Sequence, residues 1–371
     1  MIKYIYINNY KNLVNYKIQF NPISFLIGKN GCGKSNVFEV IGRLCSFLYD
    51  DVQDIDKLFP YSSLTRWMKS DIQTFEICLL ESDKEYIYKL ELEHNDQTRQ
   101  CHILSEKLYI DGKSYLFAKD GSVSVNDDKS EATLYFTTGQ NYSNIRLFAN
   151  NEKFKSIYDF ISLIRRIVIC SPNPKVMLSA VKNDDVMPEN DFANIGSICA
   201  NLFQTTPESF VNLGNVLKEI NPGYVQAKIV PGQYSKRLSI EYRFKDVKCI
   251  FDFEELSDGE KALFAVYLLI YAYLKRGYTL LLDEPDNFVS LREIQAICMS
   301  IEEAVGNEGQ CLLISHNADV INYFTDQAGI WFDRNTSGES KIIDNPYKAN
   351  QEQILTYSEF ISRGIGEMDE A

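Results

Sequence analysis

Four short stretches of the sequence hold residue types whose spacing suits work on a phosphorylated ligand. Gly28-Lys29-Asn30-Gly31-Cys32-Gly33-Lys34-Ser35 satisfies G-x-x-x-x-G-K-[ST], with Asn36 following it. Glycines let backbone N–H groups turn inward around phosphates, Lys34 brings a cation to the β- and γ-phosphates, and the Ser35 hydroxyl suits Mg²⁺. Thr279-Leu280-Leu281-Leu282-Asp283-Glu284-Pro285 is an apolar run ending in two carboxylates. Asp283 is placed to hold Mg²⁺, usually through water, and Glu284 to polarise a water attacking in line with a γ-phosphate. Leu256-Ser257-Asp258-Gly259-Glu260 is an S-x-x-E capping box, and the free N–H groups of such a helix end also suit a γ-phosphate held by another subunit. The two roles are compatible. In Leu312-Leu313-Ile314-Ser315-His316-Asn317 a histidine directly follows an apolar run. A lone histidine is more often a structural hydrogen-bonder, and its place beyond a third strand of one sheet singles this one out.

These residues need elements to aim them. Ile2 to Ile7 and Ile23 to Ile27 are β-rich runs, and Val37, Ile41, Leu44 and Leu48 mark one buried helix face after the glycine-rich loop. Strand, loop and helix therefore occur in the order a phosphate-binding loop requires. From 72 to 137, alternation (Phe75, Ile77, Leu79; Tyr86, Tyr88, Leu90, Leu92) and the turns Asp111-Gly112 and Asp120-Gly121 predict an antiparallel meander. Residues 152 to 221 read as helical, with Phe154, Ile157, Phe160, Ile161 and Ile164 on one face. Leu238 to Phe244 predicts a strand with Leu238, Ile240, Tyr242 and Phe244 on one side, opposite the basic Arg237, Arg243 and Lys245. A helix over Leu256 to Leu274, the run Thr279 to Leu282, a helix from about Leu291 and the run Cys311 to Ile314 give α/β with a buried parallel sheet. The domain reading is 1–150 as the first part of an ATPase lobe with an antiparallel β subdomain, 151–235 as a helical lobe, 236–340 as the second part, and 341–371 as a tail. The amphipathic segment Ile354, Tyr357, Phe360 and Ile361 of that tail is expected to pack on its own lobe.

Composition narrows the classes. The 371 residues carry 38 Lys and Arg against 51 Asp and Glu, a net charge of -13, which excludes a surface that is basic throughout and leaves only local DNA contact. Three histidines (His94, His102, His316) leave no room for a His-rich metal site, and the nine cysteines form no C-x-x-C pair. They read as buried thiols of a reducing compartment. No window approaches ~18 consecutive apolar residues and no signal segment opens the chain, so a cytoplasmic location without a membrane span is expected.

Taken in order, G-x-x-x-x-G-K-S, L-S-D-G-E, L-L-L-D-E-P and S-H resemble the Walker A, signature, Walker B and switch-histidine motifs of ABC-type ATPases. MIKYIYINNYKNL followed by ISFLIGKNGCGKSNVFEVI resembles the N-terminus of the RecF, SMC and OLD-like branch, over residues 1–48 and 250–324. Between Ser35 and Leu256 lie 220 residues, more than compact transporter ATPases show, with no heptad tract for a coiled-coil arm. The resemblance implies a P-loop fold with a mixed sheet, Mg²⁺ and ATP as cofactors, and a two-fold dimer with two ATPs at its interface. Each nucleotide would lie between Gly28 to Asn36, Asp283, Glu284 and His316 of one subunit and Ser257, Gly259 and Glu260 of its partner. Lys11 matches a basic residue that related proteins keep near the phosphates. Gln73 and Gln140 are both candidates for the Q-loop glutamine, and Asp286-Asn287-Phe288-Val289-Ser290 departs from the usual E-x-x-L-H-P.

The expected function is an ATP-hydrolysing dimer that gates a DNA-related process as the sensor of an anti-phage defence system. OLD-like proteins carry a Toprim nuclease after the ATPase, but only forty residues follow Trp331, so the effector is expected on a separate chain. A RecF-like repair ATPase that clamps DNA through Arg165-Arg166, Arg237-Arg243-Lys245 or Lys275-Arg276 is the alternative, and a non-catalytic ATP-dependent scaffold a third. Asp54-Ile55-Asp56 reads as a solvated turn rather than a metal site.

Overall fold

The computed structural model of the protein describes residues 1–49, 54–128, 133–148, 152–182, 185–306, 308–349 and 355–362. In chain order the elements open with β1 (Ile2–Asn8), β2 (Tyr16–Gln19), β3 (Ile23–Gly28), α1 (Lys34–Tyr49) and α2 (Ile55–Leu58). The meander follows as β4 (Ile72–Glu81), β5 (Lys84–His94), β6 (Cys101–Ile110), β7 (Lys113–Lys119), β8 (Ser122–Asn126) and β9 (Thr133–Thr137). Next come α3 (Lys155–Ile164), β10 (Ile167–Cys170), α4 (Ile195–Thr205), α5 (Glu208–Ile220), β11 (Tyr224–Pro231), β12 (Lys236–Phe244) and β13 (Val247–Asp252). The chain continues with α6 (Asp258–Ala272), β14 (Thr279–Asp283), α7 (Leu291–Val305), β15 (Gln310–Ile314), α8 (Ala318–Ala328), β16 (Gly329–Arg334), β17 (Ser340–Ile343), α9 (Pro346–Ala349) and α10 (Tyr357–Ser362). They form two compact units.

The first unit comprises Met1–Asn21, Gly28–Ile167 and Ile330–Asp344. Its frame is an eight-stranded sheet in the order β2-β1-β4-β5-β6-β7-β8-β9, antiparallel throughout. The meander is as the alternation requires: Phe75, Ile77, Tyr88, Leu90 and Leu92 are all fully buried. Asp111-Gly112 and Asp120-Gly121 each take positive φ at both residues, the twist that lets a two-residue loop join antiparallel strands. Helix α1 buries Val37, Ile41, Leu44 and Leu48, and α3 lays Phe160 against Tyr86 and Tyr88 at centroid distances of 6.3 and 5.7 Å. The hairpin β16–β17 completes this unit.

The second unit comprises Pro22–Ile27, Val168–Gly329 and Asn345–Ala371. Its strands run in the order β10-β14-β15-β3, and β14, β15 and β3 are parallel. Leu280, Leu281, Leu282, Cys311, Leu312, Phe25 and Leu26 are buried, so these runs are apolar without alternation, as strands covered on both faces must be. Register sets Asp283 beside Ile314, and Ile314 beside Leu26. The acidic turn, Ser315 and Ile27 therefore leave one edge of this unit's sheet at the same level. Helix α6 is buried nearly all round, from Lys261 to Ile270 without a break.

Two details differ from the sequence expectation. Strand β12 is the centre of a three-stranded antiparallel sheet with β11 and β13, so its polar side is covered as well: Ser239 and Glu241 are buried. Phe244, expected with the apolar face, is exposed where the strand enters a turn in which Lys245 and Asp246 have positive φ. The tail packs on its own unit as expected. Tyr357 Oη donates to Asp326 at 2.9 Å, Ser358 N–H donates to Asn322 Oδ1 at 3.0 Å, and Phe360 is buried. Ile354 lies outside the described residues. No described helix is long and apolar enough to cross a membrane.

Candidate functional site

In the first unit the glycine-rich loop is held by its own carbonyls. Lys34 Nζ donates to Gly28 O at 2.6 Å and to Lys29 O at 3.0 Å, Asn12 Nδ2 donates to Gly31 O at 3.0 Å, and Ser340 Oγ donates to Cys32 O at 2.6 Å. With these carbonyls engaged, the loop is fixed in front of the start of α1, and the first N–H groups of a helix, which lack intrahelical acceptors, suit an anion. Glycine is obligatory at two places. Gly28 has φ +147 and a Cβ there would stand 2.2 Å from Phe332 O; Gly33 has φ +102 and a Cβ would stand 2.5 Å from Ser340 Oγ. Asn12 is also the acceptor for Asn36 Nδ2 at 2.6 Å, and its carbonyl takes Ser340 N–H at 2.8 Å. Asn12 and Ser340 are the residues that sequence reasoning missed. Asn12 sits beside Lys11 in a polar turn, and Ser340 is 305 positions beyond Ser35, so no local pattern marks either.

Lys11, expected near the phosphates, is tied into the first turns of α1, directly after the glycine-rich loop. Its Nζ pairs with Glu39, which also takes Arg43 Nη2 at 2.7 Å, and reaches Asn36 Oδ1 at 3.4 Å. Burial works to raise the Glu39 carboxyl, but hydrogen bonds from Lys11 and Arg43 outweigh it and hold it below the usual range. The Cys32 thiol within the loop is pushed up by burial, so it is a packed thiol and not a nucleophile.

In the second unit β14 delivers Asp283 and then Glu284, whose φ of +50 bends the chain out of the strand. Glu284 N–H donates to Ile314 O at 2.8 Å, Asn287 Nδ2 donates to Glu284 Oε2 at 2.8 Å, and His316 Nε2 lies 3.8 Å from Glu284 Oε1. The structure thus brings together the two residues expected to be catalytic and adds Asn287 as the orienter. Both side chains are close to half exposed, open to water and substrate. Beside them, burial pushes the Asp286 carboxyl up against the opposing hydrogen bond of Ser315.

The expected capping box opens α6. Ser257 Oγ accepts from Glu260 N–H at 3.3 Å and Ser257 N–H donates to Glu260 Oε2 at 3.1 Å, while Tyr242 Oη steadies Glu260 Oε1 at 3.2 Å. Gly259 has Phe288 O only 3.2 Å from where a Cβ would be. Ser257, Gly259 and Glu260 therefore sit on an ordered, exposed helix start.

Other candidates have different occupations. Gln73 is fully buried, its Nε2 donating to Asn9 O at 2.9 Å and Ser63 Oγ at 3.1 Å and its Oε1 meeting His94 Nε2 at 2.9 Å, so its amide is spent inside the unit. Gln140 lends its carbonyl to Ile103 N–H at 2.8 Å. Asp54 caps α2 through the N–H of Asp56, as a turn residue should. One residue of each basic stretch is paired with an acid: Arg166 with Glu81, Arg237 with Asp252 and Lys275 with Glu303. Glu241 lies under Lys228 and Lys248, and hydrogen bonds from Lys228, Gln226 and Lys248 hold its carboxyl down to about 2.

Residues 23–322 match the family described as "AAA domain, putative AbiEii toxin, Type IV TA system", and the chain belongs to that family. No curated protein matches the sequence. Among solved structures, an SMC head bound to the C-terminal winged-helix domain of ScpA is similar over 94% of this chain and 99% of its own, with 16% identity and a TM-score of 0.56. SMC heads from Pyrococcus furiosus, with an extended coiled coil and bound to the C-terminal domain of ScpA, and from Pyrococcus yayanosii are similar at 13% and 12% identity. Each has a TM-score of 0.51, covering 94% of this chain and 98% of theirs. The fold is that of an ABC-type P-loop ATPase of the RecF and SMC-like branch. Among the described residues the longest helix has 16 residues, so no coiled-coil arm is present there.

Proposed function

We propose that this protein binds and hydrolyses ATP as a two-fold dimer and serves as the nucleotide-driven switch of a system whose effector is a separate chain. The carrying observation is the Glu284 carboxylate at the end of a buried strand, oriented by Asn287 and 3.8 Å from His316 Nε2. A carboxylate so held suits a base that aligns water, and a histidine at that distance suits a group that senses the γ-phosphate and steadies charge as the bond breaks.

The residues present fit Mg·ATP. The loop around Gly28 and Gly33 is a cradle that a Cβ would fill, and Lys34 is buried within it. No group of three or more His, Cys, Asp or Glu side chains gathers as a metal cage among the described residues, which suits Mg²⁺, since it is usually held by one or two protein oxygens and the phosphates. Ser35 and Asp283 would hold it, and when bound it neutralises charge on the β- and γ-phosphates. Lys34 and the loop N–H groups bind and orient the phosphates. Ser257, Gly259 and Glu260 at the start of α6 are proposed to close on the nucleotide of the partner subunit, whose γ-phosphate then acts as the bridge.

The family description names a toxin of a toxin–antitoxin system, which supports a defence role. Two of the similar SMC heads are bound to a domain of ScpA, which supports a protein partner here too. Pairing of Arg166, Arg237 and Lys275 with acids supports such a partner over a DNA track. The test is Glu284→Gln on a sizing column with and without ATP. An ATP-dependent dimer is expected, and a monomer in both runs sinks the composite site. DNA retention that falls with salt in the ATP-bound protein would instead favour the RecF-like clamp.

A further inference from the structure

The eight-stranded sheet of the first unit ends in two different ways. At one end β2 is four residues long, carries the exposed Lys17 and is packed by the β16–β17 hairpin, with the rings of Tyr16 and Phe332 5.7 Å apart. Short length, a lysine and a cover are the usual guards of a sheet edge. At the other end β9 lacks a charge, a proline and any shift of register against β8, and among the described residues no strand pairs with its outer side. Leu134 is 45% exposed and Tyr135 79%.

The backbone of that edge follows from its inner partner. Thr138 N–H donates to Gly121 O at 2.9 Å, one step beyond the Ser122–Thr137 pair. Hydrogen-bonded and non-bonded pairs alternate along an antiparallel ladder, so Phe136 and Leu134 spend their N–H and C=O groups on β8. Thr133, Tyr135 and Thr137 turn theirs outward.

The side chains suit one occupant, a second copy of the same strand. Thr133-Leu134-Tyr135-Phe136-Thr137 reads nearly the same in both directions about Tyr135. A two-fold axis through Tyr135 sets that ring against its counterpart, Thr133 against Thr137 and Leu134 against Phe136, and the outward-facing residues exchange both backbone bonds. Aromatic and threonine pairs are favourable across strands. Charge permits the pairing as well. Lys107, Phe117, Ser124 and Tyr135 are neighbours in one row from β6 to β9, and Lys107 is the charge nearest the axis in that row. The two lysines stand about 34 Å apart across the paired sheets, at ~4.8 Å per strand, well beyond the screening length of ~8 Å at physiological salt.

We propose that the β9 edge is a self-association surface through which two copies join their eight-stranded sheets edge to edge without nucleotide. One short strand per chain is a smaller contact than the ~1,200–2,000 Å² of a stable interface, so it forms at roughly 100 μM chain and above, and the dilute chain is a monomer. The contact is distinct from the ATP-dependent dimer proposed to close at the start of α6. A dimer held by ATP carries two β9 edges, whose pairing links such dimers into larger assemblies.

Sedimentation velocity of the full chain from about 1 to 300 μM without nucleotide tests it. A reversible shift from monomer to dimer is expected, and a monomer throughout overturns the proposal. T133K combined with T137K sets like charges opposite each other at both ends of the pairing and is expected to weaken dimerisation about tenfold, whereas T133K combined with T137E sets opposite charges there and is expected to restore it. Both lose the bond from Thr133 Oγ1 to Asn126 Oδ1 alike, so the comparison reads charge across the axis, and equal dimerisation by the two overturns the pairing. Tyr135→Cys is expected to give a disulfide-linked dimer on mild oxidation, because a bonded antiparallel pair holds its Cα atoms ~5.5 Å apart, and Thr133→Cys is not. Cross-linking of both or of neither overturns the two-fold register. Glu284→Gln with ATP separates this reading from the nucleotide switch. Growth beyond a dimer with concentration, abolished by adding Tyr135→Pro, which removes an N–H that β8 does not use, supports the edge. ATP-held dimers that never grow overturn it, and a concentration-dependent dimer that ATP does not enlarge supports the edge while overturning the composite site.

Discussion

The phosphate loop and the acidic turn are both glycine- or carboxylate-tipped strand ends, yet they are held in opposite ways. In the loop four successive or near-successive carbonyls, those of Gly28, Lys29, Gly31 and Cys32, each take a side-chain hydrogen bond, from Lys34, Asn12 and Ser340. In the acidic turn Glu284 takes one side-chain hydrogen bond, from Asn287, and faces His316 with both side chains about half open. The difference follows from the tasks proposed for each. A cradle for phosphates gains from being preformed, since every backbone torsion already fixed is entropy not lost on binding. A base and its partner must adjust as charge moves from water to phosphate, which a loosely held pair permits.

Breaking the turn is expected to have the largest effect. Glu284→Gln should lower kcat by about 10²–10⁴ while ATP still binds, and His316→Ala should also reduce turnover with binding intact; steady-state turnover beside direct titration separates the two quantities. Loosening the loop should do the reverse. Asn12→Ala or Ser340→Ala leaves a loop carbonyl without its donor, at a cost of roughly 1–3 kcal/mol, and should raise KM for ATP about tenfold or more with a smaller change in kcat. If Asn12→Ala leaves KM alone, the loop does not depend on its ties and the contrast collapses.

The floor of the first unit should respond to acid. Burial pushes the His94 ring down to about 4, with Asp56 and Asp71 opposing it. Between about pH 6.5 and 4 the unfolded chain then binds a proton that the folded chain does not, so stability falls as pH is lowered through that window, by about 3 kcal/mol at its acid end. Urea midpoints at pH 7 and pH 5 measure this, and His94→Gln should flatten the difference. The smallest effect is expected at α6, where Ser257→Ala removes an N-cap worth about 1 kcal/mol. A loss of ATP-dependent dimerisation far beyond that stability change would assign Ser257 its second role.

Much of this was legible in the residues. The glycine-rich loop, the acidic strand end, the capping box and His316 were visible because each is a contiguous run whose chemistry depends on near neighbours. Val37, Ile41, Leu44 and Leu48 marked the α1 face by period alone, and Asp111-Gly112 and Asp120-Gly121 marked their turns through backbone sterics. Strand β12 misled because Arg237 is paired with Asp252 on the neighbouring strand and Glu241 within β12 takes Lys228 and Lys248 from the strands on either side, so a charge pattern on one strand said little about the charge of the assembled face. The partner of Lys11 left no local trace either, since Glu39 lies 28 positions away on α1.

By itself, then, the sequence determined the class of chemistry and the elements carrying it, because local sterics, period and motif spacing act over a few residues. Tertiary structure alone decided which distant groups complete those elements. Ser340 tied to Cys32, Asn12 to Gly31, His316 set against Glu284, and Gln73 buried with His94 instead of free for a nucleotide are all long-range pairings. A hydrogen bond across hundreds of residues is fixed by the packing of whole sheets, and that packing leaves no periodic trace along the chain.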